Sequence, residues 1–145
     1  MIEKILVAID GSDHADHALD FALDLAKKYS AKILLLTVVP PVFLPFPALN
    51  VMKSRAVADA SAELENSFRM ALSKAEEKVK RLTSLNVFTR LEHGNPDEVI
   101  VETAKLGNFP IIVIGSRGLG RRDFALGSVS SRVAENATCP VLIVK

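Results

Sequence analysis

The chain has 145 residues, 18 Lys and Arg against 17 Asp and Glu, 49% hydrophobic residues and a single cysteine, Cys139. A chain of this length buries about two-thirds of its unfolded surface as one domain, so one domain over residues 1–145 is expected. Near-neutral charge argues against nucleic acid or an anionic membrane, and no apolar window of about 18 residues appears. The start MIEKILVAID is too short in apolar run for a secretory segment and one cysteine excludes an internal disulfide, so a cytoplasmic protein is expected.

Lys4 to Ile9 (KILVAI) reads as a buried strand, broken by the turn composition Asp10-Gly11-Ser12. Ala15, Ala18, Leu19, Ala22, Leu25 and Ala26 then recur at three- and four-residue spacing, which predicts a helix over 13–29. Lys32 to Val39 (KILLLTVV) is a second buried strand. Pro40, Pro41, Pro45 and Pro47 punctuate the loop PPVFLPFPALN, which suits neither helix nor central strand. Its apolar part, Val42 to Leu49, is read as a flap over a ligand or a cover for a sheet edge.

From about Val57 to Leu85 the Ala-, Glu-, Lys- and Leu-rich composition predicts a long helix, and Val87 to Glu92 a third strand. Asn95-Pro96-Asp97-Glu98 is a helix start, with Asn as N-cap and Pro at the first position. That helix runs to about Leu106, with Gly107 as its stop. Ile111 to Ile114 is a fourth strand, apolar on both faces. Ser128 to Asn136 is the last helix and Val141 to Val144 a fifth strand. Strands alternating with helices give an α/β fold: a five-stranded, mostly parallel sheet in a Rossmann-like three-layer sandwich, with helices on both faces and right-handed crossovers.

Ligands of such sheets sit beyond the carboxyl ends of the strands, near the point where strand order reverses. The candidates are therefore Asp10 with its neighbours, Val38 with the proline loop, and the segment after strand four. That segment, GSRGLGRRDFALGS from Gly115 to Ser128, runs from strand end through glycines to a helix start. The layout lets backbone N–H groups and the helix dipole converge on phosphate. A Walker-type loop is absent. Gly118-Leu119-Gly120-Arg121-Arg122-Asp123 departs from the dinucleotide fingerprint, because Asp123 stands where a small residue packs.

Single residues carry competing readings. Asp10 is either a turn residue or a ligand contact, and its place beside the glycine loop favours the second. Ser128 is read as N-cap of the last helix and phosphate contact together. Arg117, between two glycines, faces the ligand, while Arg121 and Arg122 are solvated charges or ligand contacts. His14 and His17 share a helix face without a third ligand and are read as surface histidines. His93 is read as packing at a strand end, and Cys139 as a buried thiol.

The segments Ile5-Leu6-Val7-Ala8-Ile9-Asp10-Gly11-Ser12, Leu36-Thr37-Val38, His93-Gly94-Asn95-Pro96, Gly115-Ser116-Arg117-Gly118, Gly127-Ser128-Val129-Ser130 and Cys139-Pro140-Val141-Leu142-Ile143-Val144 occur in order along the whole chain. In this the chain resembles the universal stress protein family, in its ATP-binding branch. The resemblance implies that Gly115, Gly118, Gly127, Ser128 and Ser130 hold the phosphates of ATP. Asp10 would contact ribose and base, and Ala8 and Val38 would flank the adenine. Ile9, Ser116, Arg117 and Val129 complete the implied set. It further implies Mg²⁺ or Mn²⁺ on the triphosphate and a homodimer formed through the last strand, Val141 to Val144.

One departure stands out. Eight residues, Leu119 to Leu126, separate Gly118 from Gly127 where the family pattern has nine. If this shifts Gly127 and Ser128, AMP or ADP would bind as well as ATP; if the loop absorbs it, nothing changes. No loop lysine, paired carboxylates or Ser-His-Asp set appears, so the expected role is regulatory or protective under stress, exerted through the bound state. Slow hydrolysis or self-phosphorylation on Ser128 or Ser130 stays open. The alternatives are a dimeric interaction module without nucleotide and, more distantly, an ATP pyrophosphatase-type enzyme suggested by Asp10-Gly11-Ser12-Asp13.

Overall fold

The apolar runs and periodic segments organise as expected in the computed structural model, which describes residues 1–42, 54–118 and 127–145. The elements are β1 (Lys4–Ala8), α1 (Asp13–Tyr29), β2 (Lys32–Val39), α2 (Ser54–Leu82), β3 (Val87–His93), α3 (Pro96–Leu106), β4 (Ile112–Gly115), α4 (Ser128–Asn136) and β5 (Val141–Val144). The flap reading of Val42 to Leu49 and the readings of Arg121, Arg122 and Asp123 fall largely or wholly on residues 43–53 and 119–126, outside the described residues.

The sheet has the order β3-β2-β1-β4-β5 and every pairing is parallel. Each strand therefore needs a helical crossover, and right-handedness decides the face. Going β1 to β2 to β3, the chain moves toward one edge and lays α1 and α2 on one face. Returning to β4 and β5, it lays α3 and α4 on the other. The two faces bury separate cores: Val7, Leu19, Ile33 and Val79 on the α1/α2 side, and Leu6, Leu36, Ile100 and Val133 on the α3/α4 side. Strand order reverses between β1 and β4, and these two strands are buried on both faces.

Local chemistry sets the boundaries. Ser12 caps α1 by accepting from the Ala15 N–H at 3.1 Å. The long helix α2 ends at Leu82, before the expected Leu85. There Thr83 turns its hydroxyl back on the Val79 carbonyl at 2.9 Å and accepts from the Leu85 N–H at 3.3 Å. Strand β4 lies one residue later than expected because Gly115 still pairs with Val144 of β5. Gly107 ends α3 without a left-handed backbone: its φ is −84°, and the positive φ, 51°, falls on Asn108. The glycine is required by close approach, since a Cβ there would stand 2.6 Å from the Phe109 ring.

Candidate functional site

At the reversal point the carboxyl ends of β1 and β4 diverge and leave a cleft of about 370 Å³. Its first wall is built at the end of β1. The Ile9 N–H donates to the Leu36 carbonyl at 2.9 Å and the Ile9 carbonyl accepts from Thr37 Oγ1 at 2.9 Å, locking the β1 and β2 ends together. Asp10 follows. Its Oδ1 accepts from the Ser12 N–H at 2.8 Å, closing an Asx turn over Gly11, whose φ of +86° suits glycine. One oxygen of Asp10 therefore makes the turn, and the residue also lines the cleft.

The opposite wall comes from the segment after β4. Two glycines, one closing β4 and one just beyond it, make close approaches of different kinds. A Cβ on Gly115 would lie 2.7 Å from the His14 backbone carbon, so this glycine lets α1 pack on β4. A Cβ on Gly118 would lie 2.9 Å from Asp10 Oδ2, so that glycine keeps the cleft open beside the carboxylate. Gly127, not Ser128, is the N-cap of α4, with no side-chain cap bond. The amides of the first turn, Ser128 to Ser130, then have no intrahelical acceptor and carry the positive end of the helix dipole. Gly127, Ser128, Val129 and Ser130 all line the cleft.

Between the two walls the lining is largely apolar. Ala8, Leu36, Val38 and Ile114 come from strand ends, Pro96 and Ile100 from α3, and Leu64 and Phe68 from α2. Among the predicted site residues Ala8, Ile9, Asp10, Val38, Gly115, Arg117, Gly118, Gly127, Ser128, Val129 and Ser130 converge here. Ser116 does not. It is 2% exposed, its Oγ lies 3.3 Å from His14 Nδ1, and its carbonyl accepts from Gly127 N–H at 2.7 Å and Ser130 Oγ at 2.8 Å. The His14–Ser116 hydrogen bond ties α1 to the chain leaving β4.

Sequence reasoning missed Leu64, Phe68, Pro96 and Ile100. Each pair has i,i+4 spacing, the signal of a packed helix face, and nothing in that spacing says whether the face meets a core or a cleft. Two histidines are corrected. His14 is half-buried against Ser116, while only His17 of the pair is a surface side chain. His93 is exposed, with Nε2 2.7 Å from Glu65 Oε1 of α2. Cys139 is half-buried, and burial raises its thiol above the ordinary range.

The sequence model of the Universal stress protein family matches residues 1–145. Universal stress protein YxiE of Bacillus subtilis (strain 168) is 36% identical over 157 residues, covering 100% of both chains. A solved universal stress protein in complex with cAMP aligns with TM-score 0.73 at 27% identity, over 99% of this chain and 97% of that one. Hypothetical protein MJ0577 aligns with TM-score 0.84 at 24% identity, over 100% of this chain and 96% of that one, a likeness of fold.

Proposed function

The chain belongs to the universal stress protein family, and on that footing we propose that it binds an adenine nucleotide in the cleft between β1 and β4. The observation that carries this reading is the division of the cleft into three chemistries. The α4 N-terminus offers amide donors to phosphate. Asp10 offers carboxylate oxygen to ribose hydroxyls. Ala8 and Val38 offer an apolar slot to the base. A relative at 27% identity that holds cAMP supports the same class of ligand.

ATP is the proposed ligand, with ADP and AMP as its competitors. Mg²⁺ or Mn²⁺ would ride on the phosphates of the bound nucleotide. The proposed role is a cytoplasmic regulatory or protective module of the stress response, acting through the bound state. No described helix is long and apolar enough to cross a membrane. A homodimer is proposed through β5, an edge strand whose Val141, Leu142 and Ile143 are only half-buried.

The purified protein should be denatured and its released ligand identified by nucleotide chromatography, with ATP, ADP and AMP titrations with and without Mg²⁺. Recovered or bound adenine nucleotide is expected. Binding of none of the three would overturn the reading in favour of an interaction module.

A further inference from the structure

The residues around Ser116 form a bracket that the binding role alone does not explain. Ser116 N–H donates to the Val144 carbonyl at 2.7 Å, tying the end of β4 to β5. Its carbonyl accepts two bonds, from the Gly127 N–H at 2.7 Å and Ser130 Oγ at 2.8 Å. The single Ser130 hydroxyl hydrogen is shared with the Gly127 carbonyl at 3.0 Å, and that carbonyl also accepts from the Ser131 N–H at 3.0 Å. Ser116 and Ser130 are each 2% exposed. A Cβ on Gly127 would lie 3.3 Å from Arg117 Cα, so the chain leaving β4 and the chain entering α4 stand side by side.

We propose that Ser130 is a positioning residue rather than a phosphate ligand: its hydroxyl and the Ser116 carbonyl pin the N-terminus of α4 to the end of β4. The inference rests on the adenine-nucleotide reading for its consequence and on the bracket alone for its geometry. A hydroxyl whose only hydrogen is engaged by two carbonyls in a buried site cannot donate to a phosphate without breaking the bracket. The amides of Ser128 to Ser130 do the binding, and Ser130 keeps them in place. Because the bracket joins residues on both sides of the segment 119–126, it fixes Gly127 beside the end of β4 with the eight intervening residues this chain has.

The test compares wild type with Ser130→Ala and Ser130→Thr. In the absence of nucleotide, amide exchange at Gly127 should quicken by about tenfold in Ser130→Ala, the effect of one lost hydrogen bond, and return toward wild type in Ser130→Thr. AMP affinity should fall by about tenfold in Ser130→Ala while adenosine affinity stays within about twofold. Unchanged exchange in Ser130→Ala overturns the bracket, as does a Ser130→Thr variant that behaves like the alanine. Equal loss of adenosine and AMP overturns the positioning role in favour of general destabilisation. A wild-type protein that binds no adenine nucleotide defeats the functional reading only, and the exchange measurement still decides the bracket.

Discussion

Gly115 closes β4 and Gly118 lies three positions beyond it, and the two do different work. Gly115 is held against the His14 and Ala15 backbone, so Gly115→Ala should destabilise the fold by about 1–3 kcal/mol, read as a lowered urea midpoint. Among the described residues a Cβ on Gly118 would meet Asp10 Oδ2, so Gly118→Val should abolish AMP and ATP binding with little change in that midpoint. Unaltered affinity would remove Gly118 from the site. Asp10 has two tasks that substitution can separate. Asp10→Asn keeps a side-chain oxygen for the Ser12 amide and loses the charge; Asp10→Ala loses both. Both should weaken nucleotide binding, the alanine by about 1.5–3 kcal/mol, and only the alanine should also lower stability. Equal binding by all three proteins in calorimetry would leave Asp10 a turn residue only.

At the scale of elements, the cleft depends on how α1 and α2 sit together, because α2 contributes Leu64 and Phe68, and α1 and its N-cap contribute Ala15 and Ser12. Lys78 of α2 joins them, with Nζ 2.8 Å from Asp16 Oδ1 and 2.7 Å from Asp20 Oδ1. Partial burial would lower the lysine pKa, but hydrogen bonds and charge from the two aspartates outweigh it and hold the pKa above the ordinary value. A raised folded-state pKa means that the contribution is complete below the unfolded value, about 10.4, and is lost as pH rises through the folded one. Both aspartates are more than half exposed, so screening keeps the worth small. Lys78→Met should cost about 1 kcal/mol at neutral pH. The gap between wild type and variant should close above the lysine range in urea melts taken as a function of pH. A gap that persists there would assign the loss to packing of the lysine stem.

At the scale of the whole molecule, β5 is the feature that points outward. Pro140 and Val144 turn their carbonyls toward β4, accepting from Ile112 and Ser116, so the alternate residues Val141 and Ile143 present their N–H and C=O groups to the free edge. Ile143→Pro removes one outward amide without touching the β4 ladder. If the proposed dimer pairs β5 with its copy, this variant should be monomeric by light scattering with its fold retained, and one that stays dimeric would place the interface elsewhere. The other edge, β3, carries Arg90 and His93 on exposed positions and Glu92 half-buried and ion-paired with Arg90, a charged pattern that discourages such pairing.

Sequence by itself determined the elements and their class. Apolar runs of strand length alternating with 3.6-periodic segments allow few arrangements, and α1, β2, α4 and β5 have the bounds their patterns predict. Asp10 and the residues after β4 were also legible, because a ligand at the carboxyl ends of a parallel sheet follows from that class. Tertiary structure alone decided the rest. Leu64, Phe68, Pro96 and Ile100 carry the same spacing as core residues, and only the crossing of α2 and α3 beside the reversal point turns them toward the cleft. Gly107 read as a helix stop and Gly115 as the start of a phosphate loop, yet close approach by the Phe109 ring and the α1 backbone is what disfavours a side chain there. The resemblance implied Ser116 and Ser130 as ligand residues; Ser130 lines the cleft and Ser116 does not. The Ser116 carbonyl accepts from the Gly127 N–H and the Ser130 hydroxyl, and the Ser116 hydroxyl meets His14, an arrangement set by burial and distance between segments that periodicity does not encode.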